Sequence, residues 1–122
     1  MKHNNYEANE QATLFQWAAF NEGKYPELAL LYHIPNGGSR NKIEAYNLKR
    51  QGVKAGVPDL CLPVARGKYH GLYIELKHGK NKLSDNQKIW LKRLQNQGYC
   101  AECCYGWQAA ANLIEEYLKR GR

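Results

Sequence analysis

The amino-acid sequence predicts an α/β fold, a small mixed β-sheet flanked by helices. Three observations predict it. Segments of helical periodicity alternate with apolar runs of strand length, in the order helix, strand, short helix, strand, strand, helix, strand, helix. Glycines (Gly23, Gly52, Gly67 and Gly98) punctuate these segments where turns are needed. Two of the apolar runs also flank Arg66-Gly67-Lys68 with matching parity, as the arms of a hairpin do.

The first helix is predicted from Glu7 to Glu22. Leu14, Phe15, Ala18 and Ala19 recur at helical spacing, Asn4 followed by Glu7 resembles a capping box, and Gly23 stops the run. Leu28 to Ile34 is an apolar run of strand length. Pro35-Asn36-Gly37-Gly38-Ser39-Arg40 is a turn-rich loop. A short basic helix runs from Ile43 to Gln51 and ends at Gly52. The hairpin strands lie near 59–64 and 70–77, and Pro63 shortens or interrupts the first of them. His78 to Lys82 is a basic loop. Ser84 then caps a helix with Gln87 at the capping-box position, and Trp90, Leu91 and Leu94 form its apolar stripe before Gly98. Tyr99 to Tyr105 is the last strand. Trp107 to Leu118 is the last helix, with Ala110, Leu113, Ile114, Tyr117 and Leu118 facing inward. The basic tail after Leu118 is predicted to be loose.

Composition narrows the function. A chain of 122 residues is one domain, 1–122, with room for a modest core. The formal net charge of +7 points to a polyanionic partner, most often nucleic acid. No long apolar run, lipidation motif or signal pattern suggests a membrane, so the expected location is the cytoplasm. Cys100 and Cys103 have the spacing of half a zinc site, but nothing completes the set, and the cysteines are expected to be free and buried.

The hairpin carries the chemistry. Gly67 lies midway between Asp59 and Glu75, so folding about it sets the two acids opposite one another. Strand alternation puts Glu75 and Lys77 on the same face as Asp59, and sends Leu60, Leu62, Leu72 and Ile74 to the other. Two carboxylates at close range call for a cation between them, and oxygen ligands suit hard Mg²⁺ or Mn²⁺. The backbone carbonyl of Leu76 can supply another ligand. The first helix offers Glu7 or Glu10, and Glu10, one turn before Leu14 and so bordering the buried face, is favoured over Glu7. A lysine beside such a cation can orient or help deprotonate an attacking water and stabilise a pentavalent phosphate. No Ser/His/Asp or Cys/His set is apparent for acyl transfer, and His70 and His78 read as loop residues or phosphate contacts. Asn36, Gly37, Ser39 and Arg40 are candidate phosphate contacts in the glycine loop, with Lys54, Lys80 and Lys82 extending the basic surface.

These residues resemble a known pattern. Pro58-Asp59 with Glu75-Leu76-Lys77 is similar to the PD-(D/E)xK nuclease signature. Glu10-Gln11 with Leu14-Phe15-x-Trp17, Ile34-Pro35-Asn36-Gly37-Gly38, Gly56-Val57-Pro58-Asp59-Leu60 and Leu83-Ser84-x-x-Gln87-x-x-Trp90 with Gly98-Tyr99 make the whole chain look like a stand-alone VRR-NUC domain. The resemblance implies a restriction-endonuclease-like core and Mg²⁺- or Mn²⁺-dependent cleavage of structured or branched DNA in repair, recombination or phage DNA processing. It implies Glu10, Asp59 and Glu75 as metal ligands, Lys77 as the catalytic lysine and Gln87 beside the site. Small size and abundant aromatics suggest a homodimer. A homodimeric Holliday junction resolvase, a phosphoesterase for small nucleotides and a non-catalytic nucleic-acid-binding module are the rival readings.

Overall fold

A four-stranded sheet forms the centre of the protein, as described by a computed structural model covering residues 5–35 and 41–121. The strands are β1 (Tyr32–His33), β2 (Leu60–Leu62), β3 (Leu72–Lys77) and β4 (Cys100–Tyr105), and they lie in sequence order across the sheet. β1–β2 and β2–β3 are antiparallel, whereas β3–β4 is parallel. The helices are α1 (Asn5–Phe20), α2 (Lys42–Arg50), α3 (Asp85–Asn96) and α4 (Trp107–Leu118). The mixed sheet and the order of elements are those the sequence predicts.

Parity along β3 divides the sheet into two unlike faces. Leu72, Ile74 and Leu76 join Leu60 and Leu62 in the core against Leu14 and Ala18 of α1 and Ala110, Ile114 and Tyr117 of α4. Tyr73, Glu75 and Lys77 project from the opposite face, where α3 sends Gln87 to Glu75. The parallel β3–β4 pair needs a crossover, and α3 provides it. The Ser84 capping box that starts α3 is present with both of its hydrogen bonds.

Several local expectations are corrected. α1 ends at Phe20 rather than Glu22, because the side-chain amide of Asn21 donates to the Trp17 carbonyl and closes the last turn before Gly23 is reached. Glu7 has a further partner. Its Oε2 accepts from Asn81 Nδ2 at 2.7 Å, and Asn4 lies outside the described residues. The apolar run from Leu28 is mostly not a strand. Pro26–Leu30 forms a 3₁₀ helix opened by its proline, and Leu28 and Leu31, three residues apart, are the ones that become buried. The tail is held by a hydrogen bond from the Gly67 N–H to the Gly121 carbonyl and by Arg120 over the Tyr69 ring. Cys61, Cys100 and Cys104 are free and buried as expected, whereas Cys103 is half-buried.

The hairpin register is the predicted one. Leu60 pairs with Ile74 and Leu62 with Leu72. Gly67 takes a left-handed φ of 56°, and Arg66 bridges to Tyr69 across the turn. Pro63 lies just past the end of β2, where its missing N–H costs no ladder bond. Beyond it the buried Arg66 ion-pairs with Glu27 and donates from Nη1 to the Ala65 carbonyl. The Tyr117 hydroxyl donates to the Val64 carbonyl at 2.6 Å.

Candidate active site

Asp59 is fixed by its backbone as well as by its side chain. Gly56, with φ +93°, passes so close to the start of α3 that a Cβ there would lie 2.7 Å from the carbonyl carbon and the Cβ of Asn86. Only glycine fits both the dihedral and the gap, and it delivers the buried Pro58 and then Asp59 to the sheet. The Asp59 carbonyl accepts from the Ile34 N–H at 2.7 Å and from His33 Nδ1 at 2.9 Å. Its carboxylate Oδ2 accepts from the Leu76 N–H at 2.8 Å. The acid thus bonds to the backbone next to Glu75, as continuation of the β2–β3 register requires.

Glu75 is only 3% exposed. Its Oε2 accepts from Gln87 Nε2 at 3.1 Å and lies 4.0 Å from Lys77 Nζ, while Lys77 itself is 9% exposed. The other oxygen, Oε1, is buried without a hydrogen-bond partner among the described residues. Burial first, and then the negative charge of Asp59, push the Glu75 carboxyl up from 4.5 to about 8; the Lys77 ammonium opposes the shift. A buried acid in this condition is short of positive charge.

Gln87 holds two positions at once. Its Oε1 accepts from the Ser84 N–H at 2.9 Å as the capping-box partner, and its Nε2 reaches Glu75. The Leu76 carbonyl points to the same strand edge as the Leu76 N–H, because a residue's two backbone groups share one side of a strand. That edge is where Asp59 sits.

The first helix sets its two acids in different surroundings. Glu10 Oε1 accepts from the Trp107 N–H at 2.8 Å, and Oε2 lies 3.0 Å from His78 Nδ1. It therefore closes the start of α4, where Gly106 at the cap has no side chain to do so. The acid whose negative charge reaches Glu75 is Glu7.

Lys54, Lys80 and Lys82 are exposed. Asn36, Gly37, Ser39 and Arg40 lie outside the described residues. Sequence reasoning missed Cys103, which pairs in register with Glu75 on β4 and so stands beside it on the same face. Its thiol is raised by burial and by the Glu75 charge. That neighbour follows from the β3–β4 register, set by a crossover of 22 residues from Lys77 to Cys100 that no local pattern encodes.

Among the described residues, no three His, Cys, Asp or Glu side chains form a metal-holding group. The oxygen donors present nevertheless fit Mg²⁺ or Mn²⁺, since Mg²⁺ is commonly held by one or two carboxylates and completes its shell with water. The partnerless, buried Oε1 of Glu75 beside Asp59 is the observation that matches such an ion.

The VRR-NUC domain profile matches residues 2–108. A solved structure described as a VRR_NUC domain protein superposes with a TM-score of 0.81 at 34% identity, covering 99% of this chain and 93% of the other. No curated protein matches the chain. Among the described residues, no helix is long and apolar enough to cross a membrane. With the profile covering most of its length, and its fold shared with that solved structure, the chain belongs to the VRR-NUC family of nuclease-type domains.

Proposed function

We propose that this nuclease domain is a Mg²⁺- or Mn²⁺-dependent DNA endonuclease acting on structured or branched DNA in repair, recombination or phage DNA processing. One observation carries the reading: a buried carboxylate with an unpartnered oxygen faces a second acid and stands beside a buried lysine, in a chain of net charge +7. Pure DNA binding gains nothing from acids set where phosphate must approach, because like charges repel.

Asp59, Glu75 and the Leu76 carbonyl would hold the ion. From the first helix Glu10, or in its place Glu7, would supply a further ligand after giving up its present hydrogen bonds, to Trp107 and His78 for Glu10 and to Asn81 for Glu7. When bound, the ion neutralises charge on the phosphate and lowers the pKa of a water. The protein's own groups supply the rest. Lys77, held near Glu75, orients the attacking water and offsets negative charge as it builds on the phosphorane. Gln87 keeps Glu75 from turning away. Lys54, Lys80 and Lys82, with Asn36, Gly37, Ser39 and Arg40, contact the DNA backbone. Dimerisation would let so small a domain address both strands, and sedimentation as a monomer at high concentration would remove that part of the proposal.

The experiment is cleavage of supercoiled plasmid, flap and four-way-junction DNA with Mg²⁺ or Mn²⁺ by the wild type, Asp59→Ala and Lys77→Ala. Metal-dependent cutting lost in both variants establishes the nuclease. Paired symmetric nicks at the junction would favour a resolvase. Binding without cutting under either metal would leave a non-catalytic binding module.

A further inference from the structure

Beyond the acids and the lysine, a second feature lies at the same end of β3. His78, the residue after Lys77, stacks on Tyr6 of α1 with ring centroids 4.8 Å apart and planes 14° from parallel. The imidazole is held in place because Nδ1 donates to Glu10 Oε2 at 3.0 Å. Glu10 is itself anchored on the Trp107 N–H, so the stack rests on the junction of α1, β3 and α4. Tyr6 remains 64% exposed, so the ring face turned away from His78 is open. Beside it lies a hollow of about 240 Å³ lined by Tyr6, Asn9, Glu10, Thr13, His78 and Trp107. Lys80 and Lys82 follow within four residues of His78 and are exposed.

An open aromatic face backed by a second ring is what a nucleobase requires for stacking, and the exposed lysines that follow His78 in the chain supply positive charge for its phosphates. We propose that Tyr6, backed by His78, is a stacking platform for one unpaired nucleobase adjacent to the scissile phosphate. This rests on the nuclease reading and adds to it the class of substrate: DNA with an unstacked nucleotide at the cut. A base inside a continuous duplex has both faces covered by its neighbours and cannot use the platform.

The test places 2-aminopurine at the unpaired position next to the junction of a flap and, separately, within a continuous duplex. The full chain is added with Ca²⁺ in place of Mg²⁺, and fluorescence and affinity are read without cleavage. The wild type should quench the unpaired probe and leave the fluorescence of the duplex probe, already low from stacking on its neighbours, unchanged. Tyr6→Ala should lose the quench and bind the flap about tenfold more weakly, with duplex affinity unchanged. Tyr6→Phe should restore both. Quenching that survives Tyr6→Ala, or an equal loss of affinity for flap and duplex, overturns the platform. Cleavage with Mg²⁺ is scored separately: a wild type that quenches the probe but cuts no DNA would overturn the nuclease reading and leave the platform standing.

Discussion

Gln87 donates its side-chain amide to Oε2 of Glu75 at 3.1 Å, and the other end of the same amide closes the first turn of α3 on the Ser84 N–H. One side chain thus ties the start of a helix to a buried acid in the sheet. Ser84→Ala and Gln87→Ala both weaken the cap and are expected to cost about 1 kcal/mol of stability each. Only Gln87→Ala also frees Glu75, and cleavage should fall by about 10- to 100-fold in that variant. Urea unfolding beside plasmid nicking separates the two effects. Equal activity in both variants would show that the amide acts as a cap alone.

Glu75 makes the metal-free protein sensitive to pH in a defined direction. Its carboxyl titrates near 4.5 when unfolded and about 8 when folded. The folded state therefore retains a proton that the unfolded state has released, so the stability present below pH 4.5 is lost as pH rises through 8. The slope within that window is at most about 1.4 kcal/mol per pH unit. Urea midpoints in EDTA should fall from pH 5 to pH 8, and Glu75→Gln should flatten that fall. Mg²⁺ or Mn²⁺ should raise the pH 8 midpoint of the wild type and leave Glu75→Gln unchanged. A wild-type profile that is already flat in EDTA would contradict the assignment.

The two acids of α1 should separate by phenotype. Glu10→Ala removes the acceptor for the Trp107 N–H and is expected to cost about 1–2 kcal/mol through α4. Glu7→Ala removes only the acceptor for the exposed Asn81 amide and should leave stability near wild type while lowering metal-dependent cleavage by about 10-fold or more. Metal titration of each variant decides. If Glu10→Ala remains folded yet needs far more metal, while Glu7→Ala does not, Glu10 is the ligand after all.

Gly56→Ala is expected to be among the most damaging small substitutions. The added methyl meets α3 backbone at 2.7 Å on a φ of +93°. Strain and clash together should cost at least about 2 kcal/mol. Because the same turn delivers Asp59, surviving folded protein should also cleave poorly. Thermal melting and nicking at a temperature where the variant is fully folded test both parts. Gly52→Ala is the control, since φ is again positive but nothing lies within 4 Å of a Cβ there.

The parts of the site legible in the sequence are those with local periodicity. Asp59, Glu75 and Lys77 share a face because strand alternation and a turn centred on Gly67 leave no other arrangement. Ser84 and Gln87 were readable because a capping box spans only four residues. What the sequence hid depends on distant packing. Leu28 to Ile34 has strand composition, but Pro26 and the burial of Leu28 and Leu31 on the core turned most of it into a 3₁₀ helix. The place of Glu10 on the helix was readable, but not its bond to the bare N-terminus of α4, nearly a hundred residues away. Cys103 acquires Glu75 as a neighbour only through the β3–β4 register.

The hairpin turn also has a practical consequence. Arg66 to Tyr69 closes the end of the β2–β3 ladder remote from Asp59 and Glu75, and Gly67 and Lys68 are exposed there. Spacing between the acids is counted along the paired strands, so extra residues between Gly67 and Lys68 would leave it unchanged. That peptide bond is a natural splice point for grafting a targeting module or tethering the domain to a surface, with the cutting end left facing outward.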